Sequence, residues 1–161
     1  MIIAMTSYEE MLFDHLSEEI ITGGLSTALL GHRVAYFRTI GSTMDEARKA
    51  ALGNAPEGTL VVAEEQTAGR GRFQRTWVSP PDVNLYFSLL LRPGPDYASQ
   101  LTMMASLALA RVLRRLAQES SEVTIKWPND VRMGEKKIGG ILIESSLAEE
   151  GAGNFSIVGM G

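Results

Sequence analysis

The chain predicts a single mixed α/β (α+β) domain in which strands and helices are interleaved. Apolar residues recur at helical spacing in some segments, and β-branched or aromatic runs of strand length lie between them. Glycine and proline clusters separate the two kinds of segment. At 161 residues, 45% hydrophobic and 21% charged, the composition is that of one ordinary globular domain and not of a disordered chain.

Taken in order, Tyr8, Met11, Leu12, Leu16 and Ile20 sit on one helical face. Acidic residues fill the opposite face and Gly23-Gly24 stops the turn, so residues 1–24 read as an N-terminal helical segment. Leu25 to Leu30 reads as a second short helix ending at Gly31, and Val34 to Ile40 as a strand. Thr43 and Glu46 have capping-box spacing for a helix from Met44 to Leu52. Thr59 to Ala63 is a buried strand that delivers the chain into a basic loop, Glu64 to Trp77. Pro80-Pro81-Asp82 is a turn, and Asn84 to Leu91 is the strongest strand. Ser99 begins a helix reaching about Ala117, with Leu101, Met104, Leu107, Ala108 and Leu116 as its core face and Arg111, Arg114 and Arg115 toward solvent. Val123 to Ile125 is a strand that leads into Lys126-Trp127-Pro128-Asn129-Asp130. A hairpin joins Val131–Met133 to Ile138–Ile143 through Gly134-Glu135. Within its return strand Gly139-Gly140 marks a close approach by backbone or ligand. A turn over Glu149 to Asn154 and a strand from Phe155 to Val158 complete the chain.

The chemistry narrows the function by exclusion. A net charge of −4 argues against a general nucleic-acid binder, so no DNA partner is expected. There is no cysteine, and His15 and His32 have no ligand-like spacing, so thiolate and zinc chemistry are not expected. The absence of a long apolar run or a signal design predicts a cytoplasmic protein without a membrane partner.

Four polar clusters remain, each beside a strand: Ser42-Thr43, Gln66 to Trp77, Lys126 to Asp130 and Lys137 to Gly140. In the second, Gly69, Arg70, Gly71, Arg72 and Arg75 combine permissive backbone with forked cationic donors, a combination suited to wrapping an anion. The same run also serves as an ordinary solvated turn. The clusters offer cations, amides, hydroxyls and one candidate metal-binding carboxylate, Asp130, but no histidine base beside a nucleophile. That inventory suits electrostatic catalysis at phosphorus better than covalent catalysis.

The ordered motifs Gly-Ser-Thr, Gln-Thr-Ala-Gly-Arg-Gly-Arg…Arg-Thr-Trp, Asn-Leu-Tyr-Phe-Ser, Lys-Trp-Pro-Asn-Asp and Lys-Ile-Gly-Gly-Ile-Leu-Ile-Glu resemble the biotin–protein ligases. The resemblance runs from about Leu25 to Gly161 and covers their catalytic domain, of the type without an N-terminal DNA-binding domain. It implies a class II synthetase-like fold, a mixed and mainly antiparallel sheet with packed helices. It also implies a two-step reaction in which biotin and MgATP give biotinyl-5′-AMP, and a lysine of a biotin carboxyl carrier protein then takes the biotinyl group. A homodimer is an assembly that it allows.

Carried over by resemblance, Ser42, Thr43, Gln66 and Gly140 hold the biotin ring, and Tyr86 lines its pocket. Gly69, Arg70, Gly71, Arg72 and Arg75 form the loop that orders over biotin and the adenylate, with Arg70 nearest the carboxyl–phosphate junction. Trp77 covers the adenine side. Lys137 stabilises the reacting carboxylate and α-phosphate, so Arg70 and Lys137 are the catalytic candidates. Lys126, Asn129 and Asp130 serve the phosphates and magnesium. Two positions depart from the family pattern: Gln74 stands in place of a glycine, and Met44 in place of an asparagine, which is expected to alter the helix start more than the pocket. The family continues past Gly159-Met160-Gly161, so the chain is expected to be incomplete at its C-terminus. A non-catalytic biotin- or biotinyl-AMP-binding module and a lipoate-type ligase are the alternatives.

Overall fold

The computed structural model describes residues 16–117, 122–149 and 153–161. The elements are α1 (Glu18–Gly23), β1 (Val34–Ile40), α2 (Thr43–Leu52), β2 (Leu60–Gln66), β3 (Tyr86–Leu91), a single turn α3 (Pro95–Ala98), α4 (Leu101–Leu116), β4 (Val123–Lys126), β5 (Asp130–Met133), β6 (Lys136–Glu149) and β7 (Gly153–Met160). The seven strands form one sheet in the order β1-β2-β3-β7-β6-β5-β4. Only β1 and β2 run parallel, and α2 is the crossover between them; every other neighbouring pair is antiparallel.

Strand alternation divides the core between the two faces of this sheet. Ile157 joins Val61, Leu90 and Phe155 against Met44, Ala47 and Ala51 of α2. Its neighbour Val158 joins Val123, Val131 and Ile141 against Leu101, Ala105 and Ala110 of α4. The two helices therefore cover opposite faces. Alanine at their contact points lets each approach the strands closely. Leu90 is fully buried, and truncating such a side chain to alanine costs about 2–5 kcal/mol.

Several expectations are met: β1 has the predicted bounds, and the 131–143 hairpin forms with Gly134 at φ +54°. Others are corrected. Leu25 to Leu30 is not a helix. Six residues gain few helical bonds, and here the Thr27 hydroxyl bonds Leu30 O while Gly31 N donates to Gly58 O. The Thr43–Glu46 capping box does not form, because Thr43 is turned toward β2 and Glu46 pairs with Lys49. The core face of α4 is also misassigned. Leu101, Ala105 and Ala110 are buried, whereas Met103, Met104, Leu107 and Leu116 are exposed. That helix is apolar around much of its circumference, so periodicity alone does not choose the face. The predicted helix from Tyr8 lies mostly outside the described residues, as do residues 150–152 of the 149–154 turn.

Candidate active site

Parallel pairing of β1 with β2 puts Ile40 opposite Gln66, so both strands end at the same edge of the sheet. Gly41-Ser42 turns the chain there into α2, and the first helical N–H, that of Thr43, meets Gln66. Gln66 Oε1 accepts from Thr43 N at 2.9 Å and from Thr43 Oγ1 at 3.0 Å, while Gln66 Nε2 donates to Ser79 Oγ at 3.0 Å. From the core, Ser88 Oγ donates to Thr43 Oγ1 at 2.8 Å. An amide from β2 thus caps α2, and Ser42, at the N-cap position, makes no side-chain cap bond. The second N–H of Gln66 Nε2 remains for a ligand.

The basic loop is folded over this edge. Thr67 N and Ala68 N donate to Ile40 O and Gly41 O, and Trp77 N donates to Gly69 O at 2.9 Å. At its tip a 3₁₀ turn, Arg72–Gln74, holds both Phe73 and Gln74 at positive φ, +56° and +57°. A Cβ on Gly69 would lie 2.4 Å from Trp77 O, so only glycine fits where the two limbs of the loop meet. The Gln74 departure therefore occupies a position whose backbone favours glycine.

Beneath the loop lies a cavity of about 310 Å³. Its polar end is Ser42, Thr43 and Gln66; its cations are Arg70, Arg72, Arg75 and Lys137; Trp77, Met44, Ile141 and Leu142 supply apolar wall. Gly140 forms floor at close quarters, since a Cβ there would meet Trp77 Cη2 at 2.9 Å and Lys137 Nζ at 3.0 Å. Arg70 Nη1 donates to Asp45 Oδ2 at 2.7 Å, and Arg70 Nη2 donates to Glu144 Oε1 at 3.3 Å. That hydrogen bond from Arg70 lowers the Asp45 carboxyl below its usual range, and Asp45 in turn raises Arg70. Arg72 Nη1 donates to Asn129 Oδ1 at 2.8 Å. Lys137 Nζ lies 2.8 Å from Asp130 Oδ1 and 4.7 Å from the centre of the Trp77 ring. Arg75 has no ion pair among the described residues. The cavity can therefore take one small ligand that carries both neutral polar groups and negative charge.

This geometry agrees with known proteins. Residues 36–160 match the model of the biotin/lipoate A/B protein ligase family. The chain belongs to that family. Within it, this ligase-family chain is 43% identical over 148 residues to the bifunctional ligase/repressor BirA of Bacillus spizizenii, covering 91% of this chain and 45% of the relative. It is 45% identical over 107 residues to the biotin–[acetyl-CoA-carboxylase] ligase of Paracoccus denitrificans, covering 65% and 44%. It thus spans about half the length of the curated relatives it matches. Among solved structures, the biotin protein ligase of Leishmania major in complex with biotinyl-5-AMP matches with a TM-score of 0.67 at 34% identity, over 81% of this chain and 56% of that one. That of Aquifex aeolicus in complex with biotin and ATP matches with a TM-score of 0.64 at 32% identity, over 80% and 51%. The mixed, mainly antiparallel fold expected from the resemblance is the fold observed.

Most sequence-predicted residues of this family domain converge on the cavity: Ser42, Thr43, Gln66, Arg70, Arg72, Arg75, Trp77, Asn129, Asp130, Lys137 and Gly140 all line it. Gly69 supports the loop from behind. Two do not line it. Tyr86 is buried in the core, where its hydroxyl donates to Pro80 O at 3.1 Å and accepts from Asn84 Nδ2 at 2.9 Å. Lys126 is exposed at the end of β4, the outer strand of the sheet. Asp130 lines the cavity beside Lys137. Lys137 holds its carboxylate, and no group of three His, Cys, Asp or Glu side chains gathers among the described residues. Met44 reaches the cavity as well as the core. Sequence reasoning gave no role to Asp45 or to Glu144, the last residue of the Lys-Ile-Gly-Gly-Ile-Leu-Ile-Glu motif; Arg70 reaches both.

Proposed function

We propose that this chain is the catalytic half of a biotin–protein ligase, which activates biotin with ATP and transfers it to a lysine of a carrier protein. The observation that carries the reading is one cavity lined by hydroxyls, an amide and four cationic side chains, in a chain of this family. Binding of biotinyl-5-AMP and of biotin with ATP by structural neighbours supports the same ligand pair here. The relatives' names favour biotin over lipoate.

In the first step a biotin carboxylate oxygen attacks the α-phosphorus of ATP, an anhydride bond forms, and pyrophosphate leaves with its electron pair. Thr43 and Gln66 orient the uncharged ring, with the free N–H of Gln66 as donor. Arg72, Arg75 and Lys137 face the developing negative charge, and fixed cations in a shielded site act most strongly there. Magnesium enters as part of the nucleotide substrate. In the second step a neutral lysine amine of the carrier attacks the acyl carbonyl, the amide bond forms as the acyl–oxygen bond to phosphate breaks, AMP leaves with its electron pair, and the amine gives up a proton. The folded loop keeps water from the mixed anhydride in the interval.

The test is biotin-dependent exchange of labelled pyrophosphate into ATP by the full-length parent protein. Exchange with lipoate but not with biotin would overturn the substrate. Calorimetric binding of biotinyl-AMP by this chain without exchange by the parent would support a binding module instead.

A further inference from the structure

We propose that Ser106 is a positioning residue: from the helix behind the sheet it sets the turn that carries Asn129 and Asp130 to the cavity, on the nucleotide side of the reaction. The face that α4 turns to the sheet is otherwise apolar, with Leu101, Ala105 and Ala110 buried, and Ser106 among them is 1% exposed. A serine hydroxyl inside a helix commonly bonds the carbonyl one turn back. Ser106 Oγ instead donates to Pro128 O at 3.0 Å, 22 residues further along the chain. Gly139 allows the helix this approach, since a Cβ there would lie 2.7 Å from Leu109 Cδ2.

Pro128 lies in the turn between β4 and β5, and its carbonyl shares one planar peptide group with the Asn129 N–H. Holding that peptide fixes where the Asn129 side chain starts. The placement then passes to β6. Asn129 Nδ2 donates to Ile141 O at 3.0 Å, and Asn129 O accepts from Ile141 N at 2.9 Å. Asp130 pairs with Gly140 across the two strands, and its carboxylate holds Lys137. Asn129, Asp130, Lys137, Gly140 and Ile141 all line the cavity, while Ser106 lies behind them. Thr43 and Gln66, assigned above to biotin, are held through Ser88 and Ser79 instead. Loss of the Ser106 bond should therefore reach the nucleotide and spare biotin. That selectivity rests on the ligase reading above; the bond network does not.

The variants are Ser106→Ala, which removes the hydroxyl, and Ser106→Cys, which nearly keeps the size with a weaker donor. Ala105→Gly is the control: it weakens the same turn of α4 through glycine's backbone entropy and leaves the bond in place. In this chain, amide exchange followed by NMR compares the Ile141 N–H with the Leu90 N–H, which donates to Thr59 O elsewhere in the sheet. Ser106→Ala is expected to speed exchange at Ile141 relative to Leu90 about threefold to tenfold, with Ser106→Cys between it and wild type. In Ala105→Gly the two amides should move together. In the full-length protein, biotin-dependent pyrophosphate exchange should show a KM for ATP raised about threefold to tenfold in Ser106→Ala. The KM for biotin should stay near wild type, and Ala105→Gly should change neither. A wild-type exchange ratio in Ser106→Ala overturns the proposal. So does an unchanged KM for ATP in an active enzyme, or a KM for biotin that rises as much. If the parent shows no exchange with biotin while Ile141 still responds to Ser106→Ala, the ligase reading fails and the positioning role stands.

Discussion

Lys137 Nζ lies 2.8 Å from Asp130 Oδ1, a pair in which both side chains are partly exposed at the cavity. The carboxylate fixes where the ammonium sits, and the centre of the Trp77 ring lies 4.7 Å from it. A phosphate entering between them meets a placed cation whose position costs no reorganisation. Lys137→Ala in the full-length protein is therefore expected to lower biotin-dependent pyrophosphate exchange about 10²–10³-fold. Asp130→Asn should cost less, because it loosens the ammonium without removing it. A loss below about tenfold for Lys137→Ala would show that the charge is supplied elsewhere, with Arg75 the next side chain to test.

Gln74 sits at φ +57° in the loop tip. A side chain in the left-handed region costs about 1–2 kcal/mol, and a β-branched one more. Gln74→Val is expected to lower stability by about 1–2 kcal/mol in urea unfolding. Gln74→Gly removes the strain but adds about 0.5–1 kcal/mol of unfolded-state entropy, so it should be neutral or slightly stabilising. Equal losses for both variants would locate the effect in lost side-chain contacts instead.

How far the sequence foretells this site depends on whether a residue acts alone or through a partner. The loop, the Ser42-Thr43 junction and the glycine pair carry their own signals, because turn chemistry and strand breaks are local. Gly139 and Gly140 are both closely approached, but by side chains, Leu109 and Trp77 respectively, and not by backbone or ligand as expected. Thr43 reads correctly as a helix-start residue, but its partner does not. The local candidate Glu46 loses to Gln66, which parallel pairing brings in from 23 residues away. Tyr86 misleads for a similar reason. β3 alternates, and residue 86 falls in a buried position of that strand, where the hydroxyl finds protein partners. Asp45 and Glu144 look like ordinary surface acids until the fold sets them around Arg70. The exposed apolar side of α4 shows the opposite limit, since two apolar faces give periodicity no way to choose.

The Asp45–Arg70 pair also sets a pH signature. Arg70 holds the folded Asp45 carboxyl below its ordinary value, so the pair's stabilisation is complete above the unfolded value of about 3.9. It is lost as pH falls through the lower, folded value. Because Asp45 is half exposed, solvent screening keeps the contribution small. Wild type and Asp45→Asn should differ in urea midpoint at about pH 6 and converge at about pH 2. A gap that persists or widens at the acid end would mean that the carboxylate is not what Arg70 stabilises.

Ser88 is completely buried and donates a hydrogen bond to Thr43 Oγ1, which in turn donates one to Gln66 Oε1. The chain of bonds runs from the core to the polar end of the cavity, so it ties ligand geometry to folding. Thr43→Val keeps the shape but leaves the Ser88 hydroxyl without its acceptor, at a cost of about 1–3 kcal/mol. Ser88→Ala removes that donor, and Thr43 keeps its bond to Gln66, so it should cost less. In the double variant the stranded hydroxyl is gone, and the combined loss should fall short of the sum by about 0.5 kcal/mol or more. Simple additivity in urea unfolding would mean that the two hydroxyls act independently. The alignment of Gln66 would then rest on the Thr43 N–H and Ser79 alone.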